Sequence, residues 1–364
     1  GNALISLDRL PGGHAIEIDT TARTATVGPA VTYAELATAL NARGLALANM
    51  ASLPHISVAG AIATATHGSG TALGNLATSV RGLELVSGEG ERVTLDARHP
   101  RLAGAAVHLG ALGVVTAVTL AVQPYYELRQ DVYLGLDWDV LAGHFDAVMS
   151  AGRSVSVFHD FGERAREVWV KGDPAREAPG DLFGAPAARE PRNPVPGGPP
   201  ENCTEQLGST GPWSERLPHF RSGFTPSSGR EIQSEWFVAR EHGLAAIDAL
   251  RPLGAEIRKV LQIAELRVIA ADELWMSPHH GRESAGLHFT WRLEPEPVAR
   301  VCAEIERALA PLSPRPHWGK LFSPGPVPWT PPRLADFLAL RAELDPAGRF
   351  ANGWLHERVP DVAG

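Results

Sequence analysis

The alternation of apolar and polar positions is clearest in three stretches of the second half, "EIQSEWFVA", "QIAELRVIA" and "GLHFTWRLE". Period-two patterning predicts a strand in each. Residues two apart on a strand share a face. Leu287, Phe289 and Trp291 therefore project to one side, as do Leu266 and Val268, while Ile232, Ser234 and Trp236 alternate against Gln233. The other side collects Gln233, Glu265 with Arg267, and His288 with Thr290. One such face reads as solvated surface. Three with the same chemistry, followed by His317 and Lys320 in "PHWGK", predict a shared polar pocket. Its mixed donors and acceptors suit a small polyhydroxylated ligand, because every hydroxyl both donates and accepts.

Earlier in the chain, Ile16 and Ile18 alternate with polar neighbours, so Ala15 to Gly28 reads as two short strands around a turn. A helix follows: Thr32 and Glu35 have capping-box spacing, Leu36 and Leu40 lie four apart, and Gly44 is placed to stop it. "GLELVSGEGERVTLDA" predicts a hairpin, and "GALGVVTAVTLAVQP" a buried strand. Residues 172 to 208 are dense in Pro and Gly and read as a connector or functional loop. Helical spacing returns in "REHGLAAIDALRPLGAEIRKVL", at Val298, Val301, Cys302, Ile305 and Leu309, and around Leu334 to Leu344. The chain is thus expected to be α+β, with one domain to about Val122 and a second from Gln123 to Pro316.

Composition narrows the function. The 364 residues carry a net charge of −8 without a Lys/Arg-rich run, which argues against nucleic acid and anionic membranes as partners. No apolar run reaches membrane-spanning length. Cys203 and Cys302 form no CxxC pair and read as reduced thiols, so a cytoplasmic protein, monomeric by default, is expected. His279 and His280 beside Glu283 invite a metal reading. Adjacent histidines on a strand point apart and HExxH is absent, so no metal is expected.

"ASLPHISVAGAIATATHGSG", residues 51 to 70, is rich in Ala, Gly, Ser and Thr. Small residues let backbone amides approach a large flat ligand and its phosphates. Neither G-x-G-x-x-G after a strand nor a P-loop is present, so a Rossmann or Walker site is not supported. This segment, with "NCTEQLG", "ERLPHFR", "FTPSSG", "RPHWGK" and "LDPAGRF", resembles the bacterial alditol oxidases of the vanillyl-alcohol-oxidase-type flavoproteins. The resemblance runs from the first residues to nearly the last.

It implies a PCMH-type FAD-binding domain (1–122 plus 317–364) with an inserted α+β substrate, or cap, domain (123–316). FAD contacts would fall to Ser52, Ser57, Gly60, Thr64, Ala65, Thr66, His67, Val114 and His317. A linear polyol would be held by Ser52, Gln233, Glu265, Arg267, Thr290 and Lys320, with His288, Lys320, Arg267 and Glu265 catalytic. His288 is the candidate base, because imidazole titrates near neutral pH. The implied reaction oxidises a terminal hydroxyl to the aldose, with O2 reduced to hydrogen peroxide. The family's "GSGHS"-like loop, whose histidine bonds covalently to the flavin, lies upstream of the match to residue 1 and has no counterpart in this sequence. The FAD-binding domain is therefore expected without its N-terminal part. Rival expectations are a sugar-lactone or polyol dehydrogenase with another electron acceptor, and a flavin-free polyol-binding relative. A metal-dependent hydrolase on His279 and His280 ranks last.

Overall fold

The computed structural model describes residues 6–224, 230–325 and 328–359. Strands β1 (Ile16–Asp19) and β2 (Thr24–Val27) pair around a turn, followed by helix α1 (Tyr33–Asn41). Thr32 caps α1 by the expected box: its hydroxyl accepts from the Glu35 N–H, and the Glu35 carboxylate takes the Thr32 N–H at 2.7 Å. Leu36 and Leu40 are buried, and Gly44, at φ +66°, turns the chain beyond the helix. The short helix α2 (Val58–Ala63), capped by Ser57, buries Val58, Ala61 and Ile62. The hairpin β3 (Val80–Val86) and β4 (Arg92–Asp96) and the strand β5 (Val114–Ala121) complete a sheet ordered β1-β2-β5-β3-β4.

A second sheet takes its strands from β6 (Glu127–Asp137), β7 (Ser154–His159), β8 (Arg164–Gly172), β9 (Ser209–Pro212) and β10 (Glu231–Ala239). It adds β11 (Leu261–Ile269), β12 (Ser284–Arg292) and the two-residue β13 (Arg315–Pro316). The order is β9-β6-β8-β7-β11-β12-β10-β13, antiparallel throughout. The three strands foreseen from alternation are thus neighbours. Helix α3 (Trp138–Met149) follows β6, and α4 (Gly243–Leu250), α5 (Gly254–Val260) and α6 (Pro295–Leu309) follow later strands. On α6 the expected Val298, Cys302, Ile305 and Leu309 are buried, and Cys302 meets Ser234 of β10.

The helical run expected over 240–260 is divided, with a 3-10 turn at Arg251–Leu253 between α4 and α5. Pro252 causes the break, because proline has no N–H to give and its ring crowds the preceding turn. The 172–208 connector is irregular apart from a small pairing of Asp181–Leu182 with Ala185–Pro186 and a 3-10 turn at Pro200–Asn202. Helices α7 (Leu334–Leu344) and α8 (Gly353–Arg358) end the described chain. "FTPSSG" lies, after Phe224, outside the described residues.

The small-residue segment is stitched to the second sheet. Gly70 N–H donates to Val268 O at 2.8 Å, and His219 N–H to Ser52 O at 3.2 Å. Gly68 passes so close to its neighbours that a Cβ would stand 2.3 Å from both Asn49 Oδ1 and Met50 O. No side chain fits there. The candidate site lies along this seam.

Candidate active site

Strand register assembles the site row by row. Glu235 stands opposite His288, His288 opposite Glu265, and Glu265 opposite Phe158. The next row is Gln233, Thr290 and Ile263; the row on the other side is Phe237, Gly286, Arg267 and Ser156. Gly286 makes one connection possible. A Cβ there would stand 3.1 Å from Glu235 Oε1 and from the Phe237 ring. Without it, Glu235 reaches across to Arg267 Nη2 at 2.9 Å.

Glu235 is the hub. It is 1% exposed and also meets Lys320 Nζ at 2.5 Å, His67 Nε2 at 3.3 Å and His288 Nδ1 at 3.3 Å. Burial alone would raise its carboxyl, but Lys320, Arg267 and His67 outweigh that and hold it well below the ordinary carboxylate range. Arg267 lies between two carboxylates, with Nε 3.5 Å from Glu265 Oε2, which aims Nη1 at Ser52 Oγ, 3.4 Å away. Glu265 is likewise held low: burial opposes ionisation, and Arg267 and the donor on His219 overcome it. Both carboxylates are anions at neutral pH.

His288 differs from the sequence expectation. Burial, reinforced by Lys320, pushes its imidazole down to about 4, so it does not titrate near neutrality. The ring is uncharged, with Nδ1 2.7 Å from Lys320 Nζ and Nε2 3.2 Å from Thr290 Oγ1.

Glu265, Arg267, His288, Thr290 and Lys320 form the floor of a cavity of about 710 Å³, within the size range of small-molecule sites; Glu235 does not line it. Ala51, Ser52, Leu53, Ile56, Thr64, Thr66 and His67 also line it, with His317 and Gly319. Asn193, Pro194, Val195, Gly198, Pro199 and Asn202 of the connector complete it, so this Pro/Gly-rich stretch contributes directly to the site. His317 is brought in because β13 pairs with β10 and Leu321 N–H donates to Gln233 O at 2.8 Å.

One histidine leaves a ring nitrogen suited to a heteroaromatic edge. His67 Nδ1 donates to Gly68 O at 2.7 Å, and its buried Nε2 faces Glu235 Oε1 at 3.3 Å. His317 Nδ1 accepts the Gly319 N–H at 3.0 Å, leaving Nε2–H as a donor. A wall of small residues with one such donor fits a flavin ring.

Of the residues singled out from sequence, Ser52, Thr64, Thr66, His67, Gln233, Glu265, Arg267, His288, Thr290, His317 and Lys320 all line this cavity. Ser57, Gly60, Ala65 and Val114 do not. Ser57 Oγ is occupied in capping α2 through the Gly60 N–H at 3.2 Å, Ala65 holds a left-handed turn at φ +53°, and Val114 opens β5. His279 and His280 lie in a turn rather than a strand: the His279 ring packs on Phe237 and His280 Nδ1 meets Leu274 O. His67, Glu235 and His317 have metal-ligand spacing, within 4.8 Å of one another. Lys320 and Arg267 already neutralise that carboxylate, and a cation would have to displace both.

Sequence reading missed Glu235, His219 and Lys171. Glu235 shares the polar face with Gln233 in "EIQSEWF", so alternation could have found it. His219 sits inside "ERLPHFR", and Lys171 follows the apolar run Val168–Val170 in a strand that also carries Arg164 and Arg166.

The fold and this wall define an FAD-dependent oxidoreductase of the PCMH type. A family model described as "FAD binding domain" matches residues 1–96, and "D-arabinono-1,4-lactone oxidase" matches residues 225–358. A solvent-stable cholesterol oxidase superposes with a TM-score of 0.73 at 15% identity, covering 96% of this chain and 85% of that one. Cholesterol oxidase from B. sterolicum superposes at 0.71 and 16%, covering 95% and 83%.

An alditol oxidase from Streptomyces sp. is 49% identical over 357 residues, 97% of this chain and 85% of that protein. L-gulono-1,4-lactone dehydrogenase from Mycobacterium tuberculosis is 26% identical, covering 94% of this chain and 82% of that protein. The chain belongs to the alditol oxidase family, and its cofactor is FAD. Among the described residues no helix is long and apolar enough to cross a membrane.

Proposed function

We propose that this enzyme oxidises the terminal hydroxyl of linear polyols such as xylitol and sorbitol to the aldose, with O2 reduced to hydrogen peroxide. The observation that carries this reading is the set Glu265, Arg267, Lys320, His288 and Thr290, which lines one cavity together with the small-residue segment. Ser52, Ser57, Gly60, Thr64, Ala65, Thr66, His67, Val114 and His317 form the FAD-holding set. Residues 1–122 with 317–364 make the FAD-binding domain and 123–316 the cap, a division supported by the separate membership of the two sheets. FAD, when bound, accepts hydride from the alcohol carbon and returns the electrons to O2.

Glu265 and Gln233 grip neighbouring hydroxyls, while Ser52 and Thr290 fix register along the polyol. Lys320 and Arg267 donate to the reacting oxygen and stabilise negative charge developing there. The imidazole reacts as its Nδ1–H tautomer: Nδ1–H donates to Glu235 Oε2, Nε2 takes the hydroxyl proton, and Lys320 donates to Glu235 and to the alcohol oxygen. Glu235 stabilises the imidazolium formed. The buried free cysteines Cys203 and Cys302 support a reducing, cytoplasmic setting, and we take the enzyme to act as a monomer.

Purified holoenzyme given xylitol, sorbitol and L-gulono-1,4-lactone in a peroxide assay tests this reading. Peroxide with the alditols and little with the lactone is expected. Turnover with a dye acceptor but no peroxide would favour the dehydrogenase reading, and turnover on the lactone alone would refute the polyol assignment.

A further inference from the structure

The polar lane of the cavity continues past the point where a xylitol or sorbitol chain ends. Successive rows on one face of an antiparallel sheet are two residues, about 7 Å, apart. With the reacting carbon at the row of His288, the row of Gln233, Thr290 and Ile263 lies about 7 Å away. Glu231, on the same face of β10, lies about 13 Å away. A six-carbon alditol has five C–C bonds of about 1.5 Å, so it spans at most about 7.5 Å and stops at the Gln233 row. Glu231, Gln262 and Asn202 also line the cavity, and the proposed reaction uses none of them.

Each of the three keeps an atom for a ligand. Gln233 Nε2 donates to Glu231 Oε1 at 2.8 Å, and Glu231 Oε2 has no partner among the described residues. Gln262 is the extra residue of the bulge between Leu261 and Ile263; its Nε2 donates to Trp291 O at 3.0 Å, which leaves its amide oxygen. Asn202 is anchored by its backbone, whose carbonyl takes the Arg221 N–H at 3.0 Å, and its side-chain amide makes no hydrogen bond among the described residues. Apolar surface lies beside them. Val195 of the connector and Phe220 pack on the cluster that contains Ile263, and Pro194 lines the same cavity. This rim is preformed. Asn193 ties it by donating to Pro199 O and accepting the Val195 N–H, each at 3.0 Å, and Gly198 N–H closes on Val195 O at 3.0 Å. A Cβ at Gly198 would stand 2.7 Å from the Asn193 amide.

We propose that this outer end of the cavity is a glycosyl subsite, so that the enzyme also accepts alditols carrying a hexose on the hydroxyl farthest from the reacting carbon. The inference rests on the polyol reading of the inner end. A pyranose chair presents C–H bonds on its faces and hydroxyls around its edge. The faces suit Pro194, Val195 and Phe220. The edge hydroxyls donate to the oxygens of Glu231 and Gln262, and exchange hydrogen bonds both ways with the Asn202 amide. A longer linear alditol has hydroxyls on both sides of its chain and would bury some against the apolar rim. The free end reacts as in sorbitol. Its CH2OH loses two electrons and two protons, which pass through FAD to O2 and leave as hydrogen peroxide. The glycosidic bond is untouched, so the product is the reducing disaccharide.

The test is a peroxide assay of the holoenzyme with sorbitol, isomaltitol and maltitol. Isomaltitol is sorbitol with glucose on the hydroxyl of its last carbon. Maltitol carries the glucose on the fourth carbon, inside the stretch that Gln233 and Thr290 hold. The kcat/KM for isomaltitol is expected within about tenfold of that for sorbitol, and that for maltitol at least about tenfold below isomaltitol. Asn202→Ala combined with Gln262→Ala is expected to lower kcat/KM for isomaltitol about tenfold, chiefly through KM, and for sorbitol less than about twofold. Sorbitol turnover shows that the variant is folded; if the pair of changes prevents folding, Asn202→Ala alone is expected to cost isomaltitol about threefold. Three results each overturn the subsite: isomaltitol left unoxidised by an enzyme that oxidises sorbitol, maltitol used as well as isomaltitol, or a variant that loses no more on isomaltitol than on sorbitol. No peroxide with any of the three alditols refutes the polyol reading and the subsite with it.

Discussion

Lys320 and His288 meet at 2.7 Å and both lie against Glu235, and in the proposed reaction they act on the alcohol oxygen. His288→Ala and Lys320→Ala are each expected to lower kcat on xylitol by about 10²- to 10⁴-fold, the range for a lost general base or charge stabiliser, with steady-state peroxide formation as the measure. Unchanged turnover in both would remove these assignments. Glu235→Gln acts differently, because it leaves Arg267 and Lys320 buried beside a neutral group. Chemical denaturation should show it less stable by about 3–5 kcal/mol. Most polar residues of the floor were legible because a strand has a strict period of two. Glu235 carried the same signal but sat among large apolar neighbours. Lys171 and His219 lie 48 residues apart in sequence, and only the folded sheet shows that they meet.

At the level of elements, the caps, the hairpin and the three central strands could be read because each is fixed by local chemistry. The break at Pro252 was also local, yet the apolar spacing on either side masked it. The connector's place against the cavity was not legible, since irregular chain carries no periodicity to show what it touches. Between β10, β11 and β12 the critical element is the gap at Gly286. Gly286→Ala puts a methyl against Glu235 and Phe237. It is expected to cost about 1–3 kcal/mol in denaturant unfolding and to raise KM for xylitol, while the flavin absorbance of the purified protein is retained. A variant with wild-type stability and KM would show that the Glu235 side chain has room to spare.

Across the whole molecule, burial of histidine sets the response to acid. His108, His159, His219 and His288 are each pushed by burial down to about 4. In the unfolded chain these rings take up protons from about pH 6.5 downward, whereas the folded protein resists until about pH 4. The unfolded state therefore binds more protons in that window, and stability falls as pH drops through it. Glu235 and Glu265, held low in the fold, extend the loss below the ordinary carboxylate range. The thermal midpoint should decline steeply from about pH 6.5 to pH 4. A midpoint independent of pH over that interval would mean that these rings are not kept neutral by burial.

The joining of the two sheets at residues 51–70 is what turns an FAD-binding fold into a site for a polar alcohol. The most direct measurement is the flavin absorbance of the holoenzyme mixed with xylitol without oxygen, followed by admission of air. Bleaching by xylitol, then recovery of the oxidised spectrum with one hydrogen peroxide released per flavin, is the expected result. A flavin that dithionite bleaches and xylitol and sorbitol do not would contradict the assignment of this cavity to polyol oxidation.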